Sequence, residues 1–375
     1  MLSLSQTIWL YMAIFVTSTY FAFKSQRELL IKGRKVCSFR VTPFIFSFLI
    51  PWFFISFTNI GSDYVSYSMI AANVDMQNYM SYSDSEPGMN LTFIVLKTIC
   101  GSIDITLFIL KSITIIIAFF SIYIAKDHIK IGYSVLAYLL LFYLPSFYLL
   151  SISIASVIVS LAISLYAFKD KLILPIALIL FAAQLHNACY IFFPAFLACV
   201  YINRWSKNSK SSKILAIVAF SIVAYFSSMI FDFARSNVEG FHYEFERSYI
   251  GSGYLLFILY IPLFYIVYII NVLNNDKKIN SMLLVFALAS CLFRIMAYSF
   301  EVIERMEIVL TPLYSMLIPS VIYSTDSFKK TKKGNGNIVM LIYFIYLLFR
   351  GFLVVLERTT SSSGVGNYVF FNPFG

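Results

Sequence analysis

The chain has 375 residues, 60% of them apolar and only 12% charged, and its mean hydropathy is +0.82, more hydrophobic surface than one soluble core can hide. It reads as an integral membrane protein. The excess of 28 Lys and Arg over 18 Asp and Glu would suggest nucleic acid in a soluble domain; in a membrane protein it marks a positive cytoplasmic face, and no nucleic-acid partner is expected.

The first apolar stretch, TIWLYMAIFVTSTYFAF, has no basic residue before it and no small-residue cleavage site after it, so a retained anchor helix is expected. A bilayer core takes about 20 apolar residues per helix. Twelve segments reach or approach that length: 6–23, 41–59, 104–125, 131–150, 152–168, 172–186, 188–203, 214–231, 253–273, 281–299, 306–324 and 338–356. With alternating directions, six short loops fall on one side. They carry Lys24, Arg27, Lys32, Arg34, Lys35 and Arg40; Lys126 and Lys130; Lys169 and Lys171; Arg204, Lys207, Lys210 and Lys213; Lys277 and Lys278; and Lys329, Lys330, Lys332 and Lys333, twenty of the 28 basic residues. The positive-inside rule makes that side the cytoplasm and turns both termini outward. The same threading sends 13 of the 18 acids to the outer face.

The expected fold is therefore all-α, one polytopic transmembrane domain of about twelve helices. An outer loop covers 60–103. Within it Met89 to Ile103 is apolar but interrupted by Lys97 and too short to span, so it is expected to be an interfacial or re-entrant helix. The pair at 172–203, interrupted by Pro175, His186, Asn187 and Pro194, either spans twice or re-enters. A second outer loop covers 232–253, and a basic cytoplasmic loop covers 325–337.

Chemistry is expected on the outer face. Asp63 closely follows a helix end, at interface depth, where a carboxylate can accept a proton from a sugar hydroxyl or hold a cation beside a diphosphate. A solvated loop acid would look the same. Glu86-Pro87-Gly88 has the form of a turn into a helix, so Glu86 serves either as a cap or in catalysis. His186, at the outer end of a helix, can be a general base, hydrogen-bond a phosphate oxygen, or pack against a backbone carbonyl. In the loop 232–253, Arg235 and Arg247 can bind a diphosphate bidentately and the loop aromatics can stack on sugars, as an ordinary charged loop also could. Arg294 and Arg305 flank one short outer turn; they suit a lipid-linked pyrophosphate, or pair with Glu301 and Glu304, or snorkel.

Several classes are unsupported. The five cysteines have no CxxC spacing, and no His/Asp/Glu spacing suits a metal, so no metal site and no cofactor are expected, a divalent ion being optional. Walker A, GxSxG, HExxH and GxGxxG are absent, as is a chain of intramembrane carboxylates. Chemistry without nucleotide on the outer face calls for an activated substrate delivered in the membrane, and polyprenyl-diphosphate-linked sugars meet that need.

In the order of its motifs the chain resembles the EpsG-type, Wzy-like family of bacterial polysaccharide polymerases. The resemblance runs through GSDYVSY, EPGMN, SISIASVIVSLAISLYAFKDK, QLHNACYIFFP, FRIMAY, ERMEIVLTPLY and YVFFNPFG, over nearly the whole chain. It implies repeat-unit polymerisation of O-antigen, capsule or exopolysaccharide at the bacterial inner membrane, from undecaprenyl-diphosphate-linked oligosaccharide. A flippase and a chain-length regulator would be partners. It marks Asp63 with Tyr67, Glu86 and His186 as residues of the active face. Relatives carry an Arg just before the helix that begins SISIAS; Ser151 to Ser156 here contains none, so Arg294, Arg305 or Arg247 would take its place or the substrate differs. The reading from another class is a flippase for the same lipid-linked oligosaccharide, which would place charge along a central cavity.

Overall fold

Ser3 starts the first helix. Its hydroxyl accepts from the Gln6 N–H at 3.3 Å while the Gln6 side chain accepts from the Ser3 N–H at 2.9 Å, a capping box at the head of α1 (Leu4–Ser25). The computed structural model describes residues 2–31, 34–61, 63–82, 86–204, 277–297, 301–327, 335–360 and 368–374. The expected spans 214–231 and 253–273, and with them the loop 232–253, lie outside the described residues. The other ten spans are helical: α1, α2 (Val41–Ser56), α5 (Ile103–Ala125), α6 (Ile131–Tyr138) running through a π-helical segment (Leu139–Tyr143) into α7 (Pro145–Tyr148), α8 (Leu150–Lys169), α9 (Ile173–Leu185), a 3₁₀ turn (Asn187–Ile191) leading into α10 (Phe192–Arg204), α11 (Lys277–Ala297), α12 (Glu301–Ser327) and α13 (Asn335–Thr360).

The apolar sequence leaves few partners for a broken helix, and the breaks are met by neighbours. Pro51 in α2 has no N–H for the Ser47 carbonyl four residues back, and the Ser18 hydroxyl of α1 donates to that carbonyl at 2.6 Å. The Tyr143 hydroxyl, from the π segment, donates to the Pro51 carbonyl at 2.9 Å. Helix α8 is more enclosed than α5. Ser151, Ser153, Ser156, Ser160 and Ser164 are buried along it, small residues that let α5 and α9 approach closely. Among the described residues, α5 and α8 are the two helices long and apolar enough to cross a membrane by length and composition.

The bundle has two distinct ends. At one, the Gln26 carboxamide donates to the carbonyls of Lys126 at 3.2 Å and Ile129 at 2.8 Å and accepts from the Ile131 N–H at 3.1 Å. Lys278 pairs with Asp170, and its ammonium lies 4.3 Å from the centre of the Tyr166 ring. Lys126 lies 4.3 Å from the Tyr123 ring. These contacts gather the basic connections 24–40, 126–130, 169–171 and 277–278 at one end. The first of them holds the one sheet among the described residues, in a chain that is otherwise helical as expected. It is an antiparallel hairpin of β1 (Gln26–Ile31) and β2 (Arg34–Phe39), paired from Gln26 with Phe39 to Ile31 with Arg34. Two six-residue runs rich in Leu, Ile, Val and Phe around Lys32-Gly33 favour that pairing over an open loop.

At the other end the two chain termini meet. The Leu2 N–H donates to the Tyr368 carbonyl at 2.9 Å, the Tyr368 N–H to Thr7 Oγ1 at 3.0 Å, and the Tyr368 hydroxyl to the Phe54 carbonyl at 2.7 Å. Thr58 Oγ1 donates to the Val369 carbonyl at 2.7 Å.

The segment 60–103 contains two helices where one was expected, α3 (Asp63–Asn73) and α4 (Pro87–Cys100). Tyr67 meets Phe93 with ring centroids 6.1 Å apart, and the Lys97 ammonium reaches the carbonyls of Ala71 at 2.8 Å, Ala72 at 3.1 Å and Val74 at 3.3 Å. Both contacts join residues 26 apart or close to it, so α3 and α4 run parallel and their N-termini lie at the same end. Lys97, the interruption in the apolar pattern, is the cap of the α3 C-terminus. Lys97→Met is expected to lower unfolding stability by about 1–2 kcal/mol, since charge-assisted bonds to three carbonyls are lost. A thermal melt of the protein in detergent checks it; an unchanged midpoint would leave the cap without energetic weight.

Candidate functional site

Gly61 brings the chain into place. Its φ is +116°, and a Cβ there would stand 2.9 Å from both the Phe147 carbonyl oxygen and Tyr148 Cβ, so only glycine lets the backbone pass this close to α7. Asp63 follows in the first turn of α3, where the Tyr64 N–H bonds the Gly61 carbonyl at 3.1 Å.

One turn along α3, the Tyr67 hydroxyl pairs with Ser151 Oγ at 3.0 Å and accepts from the Ser151 N–H at 3.3 Å. It thereby satisfies one of the N–H groups left unpaired at the start of α8. Burial raises the Tyr67 phenol above its ordinary range; the two Ser151 bonds oppose the shift, and the charges of Asp63 and Glu86 add to it. Tyr67 is therefore a neutral hydrogen-bonding group at physiological pH, within electrostatic reach of both carboxylates.

Glu86 is the N-cap residue of α4, with Pro87 in the first turn, but its side chain makes no cap bond. Instead Oε1 accepts from the Asn187 N–H at 3.1 Å. Gly88 allows this. A Cβ on it would lie 2.3 Å from the Gln184 carbonyl oxygen, so α4 starts in backbone contact with the end of α9.

His186 ends α9 and caps the 3₁₀ turn. Its Nδ1 accepts from the Ala188 N–H at 3.1 Å and lies 3.7 Å from Glu86 Oε1. With Nδ1 accepting from the Ala188 N–H, the neutral imidazole carries its proton on Nε2.

Four separate motifs thus converge. The starts of α3, α4, α8 and the 3₁₀ turn bring Asp63, Tyr67, Glu86 and His186 to the end of the bundle that also holds the termini, opposite the basic connections. Helix N-termini gathered in this way favour negative charge. Arg247 lies outside the described residues. Arg294 falls near the end of α11 and Arg305 near the start of α12, with their side chains outside the described residues. Among the described residues no group of three or more His, Cys, Asp and Glu could hold a metal.

A model of the EpsG family matches residues 41–370. The chain belongs to the EpsG family. No curated protein and no solved structure matches it. Membership makes this EpsG protein a membrane protein of polysaccharide biosynthesis, in the general role of a polymerase. The match includes Asp63, Tyr67, Glu86 and His186 and ends at Phe370, inside the terminal segment that packs beside Thr58.

Two neighbours of these residues escaped the sequence, as did Lys111, which holds the Thr58 carbonyl and lies over the Tyr64 ring. Ser151 lies within a motif but gave no sign of pairing with a residue 84 positions earlier. Ala188 acts through its backbone, which leaves no trace in residue type. Lys111 could have been found: it is the one charge inside the segment 105–125.

Proposed function

We propose that this protein polymerises surface polysaccharide on the outer face of the bacterial cytoplasmic membrane, transferring a glycan from undecaprenyl diphosphate to a repeat unit on the same lipid. The observation that carries the reading is the convergence of Asp63, Tyr67, Glu86 and His186 at the bundle end opposite the basic connections. With twelve spans and the positive-inside rule, that end and both termini face outward.

In this reading Asp63 takes the proton of the acceptor hydroxyl as its oxygen attacks the donor's anomeric carbon. The bond from that carbon to the diphosphate breaks, and undecaprenyl diphosphate leaves with the electron pair. It is already an acidic leaving group, so no general acid is needed. Attack opposite an α-linked diphosphate inverts the anomeric centre. His186, with its proton on Nε2, suits donation better than proton abstraction, and Glu86 is occupied in tying α4 to the turn after α9, so Asp63 is assigned as the base. Arg294, Arg305 and Arg247 are the candidates for stabilising the departing diphosphate. A flippase and a chain-length regulator are the expected partners.

The test is gel analysis of surface polysaccharide from a deletion strain complemented with the wild-type gene. A single repeat unit in the deletion strain and a restored ladder on complementation are expected. Complete loss of surface glycan, with lipid-linked units trapped inside, would favour a flippase and overturn the proposal.

A further inference from the structure

Among the described residues, Lys111 is a buried charge that the proposed chemistry leaves unused. It is the ninth residue of α5 and is 3% exposed. An ammonium among apolar helices is disfavoured unless something specific holds it, and in membrane segments such residues mark function more often than fold. Its own contacts say what it holds. Nζ donates to the Thr58 carbonyl at 2.7 Å and stands 5.0 Å from the centre of the Tyr64 ring. Two turns earlier on the same face of α5, Asp104 accepts from the Tyr64 hydroxyl at 2.9 Å. Thr58 is itself a junction, its Oγ1 donating to the Val369 carbonyl and accepting from the Ile60 N–H at 3.4 Å.

Thr58 and Tyr64 bracket Asp63 in the chain. We propose that Lys111, with Asp104, is a positioning residue for Asp63: the two charged groups of α5 grip the backbone before it and the ring and hydroxyl after it. A methionine or leucine would fill the same volume between helices, so packing alone does not call for a lysine. The activity arm of the test rests on the proposed role of Asp63; the exchange arm does not.

The experiment compares Lys111→Met, Lys111→Arg and wild type as full-length proteins in detergent. Hydrogen exchange over residues 58–68 and polymer formation in complemented cells are read together. Lys111→Met is expected to raise exchange in that segment about tenfold, the equivalent of one charge-assisted bond, while other helices stay unchanged. Polymer formation should fall about 100-fold, as for a reacting group displaced by about an ångström. Lys111→Arg, which keeps a donor for the Thr58 carbonyl, should restore both.

Unchanged exchange in Lys111→Met overturns the proposal, and lost polymer with unchanged exchange would assign Lys111 to substrate instead. Should Lys111→Met fail to accumulate, Tyr64→Phe and Asp104→Asn carry the same test, and unchanged exchange in both overturns it. Raised exchange together with full polymer formation in both Lys111→Met and Asp63→Asn would sustain the positioning role and sink the polymerase chemistry assigned to Asp63.

Discussion

Asp63→Asn is expected to abolish long-chain polysaccharide while the protein accumulates in the membrane at the wild-type level. The two side chains have the same shape, so α3 keeps its start beside Gly61 and α7. Losing one negative charge from a helix N-terminus costs about 0.3–1 kcal/mol, too little to unfold a membrane bundle. The chemical cost is of another order. A positioned general base contributes about 10²–10⁴ in rate, and an amide cannot take the proton. A gel of surface polysaccharide should show a single repeat unit with no ladder, alongside normal band intensity for the protein in membranes. A full ladder would remove Asp63 from the reaction and shift the search for a base to Glu86.

What could be read in advance follows from which physical signal each feature leaves. Hydropathy alone located α1, α2, α5 and α8 to within a few residues, because burying some 20 apolar residues in a row is a demand no loop makes. The charge asymmetry that grouped the basic connections has its counterpart in the contacts of Gln26, Lys126 and Lys278 at one end. Short amphipathic elements were harder. The helix α3 begins at Asp63 and has a weak apolar face, so GSDYVSY looked like loop, and its parallel packing on α4 rests on Lys97, which in sequence looked like an interruption. The hairpin β1–β2 was hidden by its basic residues, which dominated the topology signal. Within the site, Asp63, Tyr67, Glu86 and His186 were legible as polar residues out of place. Their mutual arrangement was not, since it depends on backbone groups of Asn187 and Ala188 and on the absence of a Cβ at Gly61 and Gly88.

Glu86 separates arrangement from charge. Its Oε1 ties the start of α4 to the turn after α9 by accepting from the Asn187 N–H, beside the His186 ring. Glu86→Gln retains an acceptor oxygen on a side chain of the same length, so the tie survives and polymer formation should stay within about threefold of wild type, less than the tenfold that 1.4 kcal/mol represents. Glu86→Ala removes it. Asn187 is exposed, so water can take over its N–H and the stability loss should stay below about 1 kcal/mol. Position is what suffers: without the tie, the turn that sets the His186 tautomer is free to shift against α4, and a displacement of about an ångström costs on the order of 100-fold in rate. Gly88→Ala should reproduce this loss from the other side, since its Cβ would stand 2.3 Å from the Gln184 carbonyl oxygen and force α4 away from α9. Ladder length in cells complemented with each variant gives the measurement. If Glu86→Gln is as poor as Glu86→Ala, the negative charge itself is used, and Glu86 moves from holding the site to taking part in the proton transfer.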